Sequence, residues 1–151
     1  MIEKPLLENE EIFRLYATGV RDFTGYELYL NDPIGNDLSG VNFSGLDLSE
    51  SYIEGINLSG ANLTGTLLYE VCLDRANLNG ANLTGAKLSW ATFTRANLTG
   101  AILNGADFGS AEIIRSNLTN ASLLGANIEH ASIKENIYRN TIWIDGSIRN
   151  E

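Results

Sequence analysis

Large apolar side chains return at every fifth residue along most of this chain. From Leu38 to Ile133, twenty consecutive positions at that spacing are Leu, Ile or Phe, with no insertion or deletion. The blocks read Ala76-Asn77-Leu78-Asn79-Gly80, Ala81-Asn82-Leu83-Thr84-Gly85 and, further on, Ala96-Asn97-Leu98-Thr99-Gly100. The large apolar residue is the centre of each block. Twelve of the twenty blocks have Ala two residues before the centre, and Val41, Ser51, Thr66, Val71 and Ser116 are also small or β-branched, so this position is expected to point inward too. Counting Phe23 and Pro33, which keep the same register, twelve of the fifteen glycines fall two residues after a centre, where a corner of unusual φ/ψ suits them.

An α-helix needs a period of 3.6 and a flat strand a period of 2, so a period of five demands another regular winding. With two inward residues per block and a turn at each glycine corner, the chain is expected to coil and stack on itself as a parallel β-solenoid. The blocks resemble the pentapeptide-repeat family, whose consensus is A(D/N)LXX, over about residues 21 to 150. That resemblance implies an all-β fold: a right-handed quadrilateral parallel β-helix of about six coils, with four blocks and twenty residues per coil. Leu63 would then lie between Phe43 and Leu83. The segment from Leu15 to Gly25 resembles the start of the repeat in cyanobacterial members. Pro33 stands at a centre where the family has Leu or Phe, so the coil of residues 21 to 40 is expected to be irregular there.

A stacked coil exposes apolar centres and unpaired backbone at both ends unless each is covered. Over residues 6 to 18, Leu7, Ile12, Leu15 and Tyr16 read as one face of a short helix, and Gly19 as its C-cap. The expected organisation is a helical cap over residues 1–20 and the β-helix over 21–150, one domain in all. At the other end the centres become Tyr138, Trp143 and Ile148, large residues that suit closing a core. Ile137, Ile142 and Ile144 occupy outward positions near Leu124, which points to a monomer or a weak homodimer through the C-terminal end.

Composition narrows the chemistry. One cysteine, Cys72, and one histidine, His130, leave no cysteine-cluster or histidine metal site and no disulfide within the chain, so no cofactor is expected. No nucleophile, base and orienting group can be named together, which argues against an enzyme. No apolar stretch approaches the roughly 20 residues of a membrane span, and Met1-Ile2-Glu3-Lys4-Pro5 lacks the basic start and apolar run of a secretory signal, so a cytoplasmic location is expected. The Asn-X-Ser/Thr triplets at Asn42, Asn57, Asn62, Asn82, Asn97, Asn117 and Asn120 are then by-products of the repeat. A net charge of −9 argues against direct nucleic-acid binding. The charge is uneven: residues 1–74 hold 13 acids against three bases, a balance of −10, and residues 75–151 hold six against seven, a balance of +1.

Residues twenty apart stack in one column of such a coil, so outward positions sort by face. Two faces are plain, carrying Asn42, Asn62 and Asn82 with Ser44, Thr64 and Thr84 on one, and Asn57, Asn77, Asn97 and Asn117 on the other. The other two depart from consensus repeatedly. One carries Glu50, Leu67, Tyr69, Glu70, Lys87 and Trp90, and its neighbour Tyr52, Glu54, Asp74, Arg75, Arg95, Ile114 and Arg115. Arg75, Arg95 and Arg115 would form one column beside the acids Glu50, Glu54, Glu70 and Asp74, with Trp90 between. This is either a solvated ladder neutralised by its neighbours or a surface for a partner, and Trp, Tyr and Arg are the residues most enriched in interaction hot spots. The functional expectation is a non-catalytic interaction module or regulator presenting the decorated half to a protein partner. The family resemblance implies a second reading, a DNA mimic that binds or inhibits a topoisomerase such as gyrase.

Overall fold

The computed structural model describes residues 3–32 and 37–151. Pro33, expected to disturb the first coil, lies outside the described residues. The fivefold pattern folds as a β-helix solenoid. The residue before each centre bridges, in parallel, the residue twenty further on, so that Asn42, Asn62, Asn82, Ile102, Ser122 and Ile142 form one ladder. A second runs from Asp37 through Asn57, Asn77, Asn97 and Asn117 to Ile137, and a third from Asp47 through Leu67, Lys87 and Asp107 to Asn127. The fourth joins Tyr52, Cys72, Thr92 and Glu112, where two strands, β3 (Glu112–Ile114) and β4 (Ser132–Lys134), continue it. Each turn of the coil therefore takes twenty residues and has four sides.

One set of backbone bonds repeats on every side. Asn62 N–H donates to Val41 C=O at 2.8 Å and Phe43 N–H to Asn62 C=O at 2.9 Å, while Ala61 N–H closes the corner on Leu58 C=O at 3.0 Å. That corner has positive φ only at its third residue, Gly60 at +65°, the signature of a type II β-turn. The short flat sides between such turns hold one paired residue each, which is why long strands do not form.

The core is the stack of centres. All of them from Leu38 to Leu123 are buried, and the Ala positions fill the space between the side walls. Where a polar residue takes the Ala position its hydroxyl is satisfied internally: Thr66 Oγ1 donates to Phe43 C=O at 2.9 Å and Thr141 Oγ1 to Leu118 C=O at 2.7 Å. Ile128 and Ile133 are only partly buried, because no further coil covers them.

Both ends differ in detail from expectation. The segment expected to be helical from residue 6 begins as a strand, β1 (Leu6–Glu8), parallel to β2 (Glu27–Tyr29), and α1 spans Asn9–Ala17. Pairing with β2 decides the conformation of residues 6–8, a long-range contact that local periodicity does not contain. Gly19 does terminate the helix, with φ +99°, its N–H on Tyr16 C=O and Val20 N–H on Leu15 C=O, a Schellman arrangement. Ile12 is fully buried against the coil, and Tyr16 Oη reaches Ser39. At the C-terminus Tyr138 and Trp143 are buried and meet edge to face at 5.8 Å, as their place in the register required. Ile148 is not a centre: the chain turns back at Asp145–Gly146, and β6 (Ile148–Arg149) pairs antiparallel with β5 (Thr141–Ile142), leaving Ile148 exposed and Arg149 3.6 Å over the Trp143 ring. In the expected apolar cluster, Leu124 and Ile137 are each 48% exposed, but Ile142 is half-buried and Ile144 packs on the core.

Candidate functional site

The two plain faces are stitched by their asparagines. Asn57 Nδ2 donates to Asp37, Asn77 Nδ2 to Asn57 and Asn97 Nδ2 to Asn77 at 2.9–3.2 Å. Each Oδ1 also accepts the backbone N–H two residues on, as Asn82 does from Thr84 at 3.0 Å. From the sequence these two faces read only as plain. Their asparagines are structural, and some residues after a centre share the duty, as Ser44 and Thr84 do by donating to Asn42 and Asn82 Oδ1, whereas the exposed Asn79 makes no side-chain hydrogen bond among the described residues.

The corners separate the halves of the molecule more sharply than the faces do. Between Gly40 and Asn140, the corners closing the two plain faces are Gly40, Gly45, Gly60, Gly65, Gly80, Gly85, Gly100, Gly105 and Gly125, with only Asn120 and Asn140 departing, and all have positive φ. The corners closing the decorated faces have the same φ without the glycine. One column is Glu50, Glu70, Trp90, Ser110 and His130, and the other is Gly55 followed by Arg75, Arg95, Arg115 and Glu135, with φ from +55° to +65° in the nine that are not glycine. Left-handed backbone costs an L-residue roughly 1–2 kcal/mol, and asparagine is among the few that tolerate it. The coil accepts that cost repeatedly on one half and almost nowhere on the other.

The arginine column expected from the spacing is present. Arg75 Nη1 lies 3.1 Å from Glu54 Oε1, and Arg115 Nε donates to Glu135 Oε2 at 2.6 Å, which holds the Arg115 guanidinium further into its charged form. Arg95, between them, is exposed and has no ion pair among the described residues. These pairs are surface ones and contribute little to stability. Glu54 also accepts from Tyr52 Oη at 2.7 Å, and this bond, with the charge behind it, pushes the Tyr52 phenol up to about 12. The acidic group is divided: Glu54 joins Tyr52 and Arg75, Asp74 Oδ1 is occupied by Thr94 N–H at 2.7 Å, and Glu50 and Glu70 stand in the other corner column below Trp90. Tyr69 is exposed on the side that leads to that column. Trp90, 66% exposed, and Arg95 are successive corners of a single coil and flank one side of it. Sequence reasoning missed Glu135 and Ser110 and read His130, two after the centre Ile128, as an ordinary surface corner; all three extend the two columns, and a non-glycine residue two after a centre was the signal available.

Among the described residues no group of three His, Cys, Asp or Glu side chains is placed to hold a metal ion, and no helix is long and apolar enough to cross a membrane. What the surface offers is direct contact: a wall bearing the exposed Trp90, Tyr52 and Tyr69, the Arg95 guanidinium, which has no ion pair among the described residues, and flanking ion pairs.

Pentapeptide repeats, in eight copies, match residues 34–65, 61–100, 72–109 and 101–135, and the chain belongs to the pentapeptide-repeat family. Among solved structures it is similar to alr5209, a pentapeptide repeat protein from Nostoc Pcc 7120, at 35% identity over 74% of this chain and 84% of that one, with a TM-score of 0.38. Rfr23 from the cyanobacterium Cyanothece 51142 is 25% identical, covering 89% of this chain and 97% of its own, with a TM-score of 0.46. QnrB1, a plasmid-mediated fluoroquinolone resistance protein, is 13% identical over 93% of this chain and 70% of its own, with a TM-score of 0.43. No curated protein is significantly similar to this chain.

Proposed function

We propose that the chain is a non-catalytic interaction module whose decorated half binds a protein partner, with Trp90 and Arg95 at the centre of the contact. The observation that carries this reading is the distribution of left-handed corners: nine of ten on the decorated half keep a side chain where glycine would be more stable. Retaining charged and aromatic groups at such positions has little stabilising return in the fold, since the ion pairs they form are surface ones. An exposed Trp beside an unpaired Arg supplies the side-chain types that dominate binding energy, and the pairs Arg75–Glu54 and Arg115–Glu135 supply a charged rim. Tyr52, Tyr69, Glu50 and Glu70 widen the same surface. Weak self-association through Leu124 and Ile137 belongs to the same reading, and a constant monomer mass in light scattering over a wide concentration range would remove it.

The test is a photo-crosslinking amino acid placed at position 90 or at position 79 in the full chain, irradiated in the native cell. A discrete heteromeric adduct from position 90 and none from 79 is expected. Adducts from 79 alone would overturn the assignment of the binding half. The topoisomerase reading is the weaker one here, because the decorated half carries a column of three guanidinium groups, positive charge that works against mimicry of a polyanion.

A further inference from the structure

The third ladder is broken once. Beyond Asp47 it is regular: Leu67 N–H donates to Leu46 C=O, Leu48 N–H to Leu67 C=O and Glu50 N–H to Tyr69 C=O, at 2.7–2.8 Å. Twenty residues earlier the equivalent bonds would join Asp47 N–H to Tyr26 C=O, Leu28 N–H to Asp47 C=O and Leu30 N–H to Ser49 C=O. None of the three is made among the described residues. β2 pairs instead on its far edge with β1, Leu6 opposite Glu27. The interruption opens a cleft of about 880 Å³ lined by both segments. Ser49 lines it, and its Oγ is the one buried side-chain polar atom without a hydrogen-bond partner among the described residues.

Facing rows of unpaired N–H and C=O groups form a template for another strand, and strand addition is a recurrent way of capturing extended peptides. We propose that this cleft takes an extended basic segment of a protein partner, added as a strand between β2 and the Asp47 segment. The inference rests on reading the chain as a protein-binding module and adds a second contact and a partner class to it. Three carboxylates, Glu27, Asp47 and Glu50, line the cleft against a single Lys4, within the half of the chain whose charge balance is −10. An added strand with Lys or Arg at alternate positions would set its outward side chains among those carboxylates, and its apolar ones over the partly buried Leu28. Glu50 is also the first side chain of the Trp90 column, so the cleft continues the decorated half rather than standing apart from it.

The probe is a fluorescein-labelled octapeptide of alternating valine and lysine, titrated into the isotopically labelled full chain. Binding is expected to shift the amides of Leu28, Leu30 and Asp47 and to slow the hydrogen exchange of all three at least tenfold. Glu27→Lys with Glu50→Lys should weaken binding at least tenfold with melting unchanged, whereas Glu129→Lys at the far end of the same side should not. Methylating alternate backbone nitrogens of the probe should also weaken it at least tenfold. Equal binding of the methylated probe would reduce the effect to charge adsorption and overturn the proposal, as would shifts elsewhere or no binding. The same amide shifts on concentrating the protein alone would assign the slot to a second copy of the chain, also overturning it. If position 90 captures a partner while the probe leaves these amides untouched, this inference fails and the module reading stands.

Discussion

Arg95 offers the cleanest measure of what the decorated corners cost the fold. It sits third in a type II turn with φ +61°, exposed, and without an ion pair among the described residues. Arg95→Ala and Arg95→Gly both delete the side chain, so their difference isolates the backbone. Relief of the left-handed conformation favours glycine by roughly 1–2 kcal/mol, and its greater chain entropy when unfolded returns about 0.5–1 kcal/mol. The glycine variant should therefore be more stable by about 0.5–1 kcal/mol. Glu70 and Ser110 share the geometry, with φ +56° and +59°, and changing all three corners to Gly rather than to Ala should separate the variants by about 1.5–3 kcal/mol if the sites act independently. For a chain of this length that is about 3 to 12 °C in Tm, read by circular dichroism. The mirror experiment is Gly80→Ala, where an added Cβ meets no atom within 4 Å but φ is +66°, so a loss of about 1 kcal/mol would come from conformation alone. A triple alanine variant as stable as the triple glycine one, together with a silent Gly80→Ala, would refute the claim that the decorated corners are held against the preference of the backbone.

Leu83→Asp buries an unpaired carboxylate in a fully closed stack and should lower stability by several kcal/mol, while Asn82→Asp keeps the acceptor for Thr84 N–H and should be close to neutral in denaturant melts; equal losses would invert the inward and outward assignment. Tyr52 holds its proton more tightly folded than unfolded, so its contribution is complete below about pH 10 and disappears as pH rises through about 12; Tyr52→Phe should remove that decline, and an unchanged pH profile would count against the Glu54 bond. Deleting residues 1–20 removes Ile12 and Tyr16 from the first coil and should give oligomers or precipitate, and a stable monomer in size exclusion with light scattering would show that the helix is not a protective cap.

The inward half of each block was legible because the period of five leaves only one arrangement in which Leu38 through Leu123 and the Ala positions share a core. The family followed from the same blocks. Register failed where the repeat stops: Ile148 continues the count of five, yet the Asp145–Gly146 turn, with Gly146 at φ +84° and Ser147 N–H on Asp145 Oδ1, reverses the chain. That dipeptide was a readable hairpin signal which the periodicity masked. Residues 6–8 were unreadable locally, because their strand exists only through β2. The missing ladder bonds at Asp47 were equally invisible, since the sequence there keeps perfect period while the coil before it departs. The decorated columns were legible as side chains but not as strain: Glu50, Arg75 and Trp90 read as unusual decoration, and only the φ values reveal that they occupy corners built for glycine.

Whether the decorated half is the binding half can be decided by one comparison of affinities. The partner captured from position 90 should be titrated calorimetrically against the wild-type chain, Trp90→Ala with Arg95→Glu, and Asn79→Arg, a control on a plain face that spares the asparagine ladder. The double variant should keep wild-type melting and bind at least tenfold more weakly, about 1.4 kcal/mol, while Asn79→Arg binds as wild type does. Wild-type affinity in the double variant, with binding lost in Asn79→Arg, would place the binding surface on the plain faces instead.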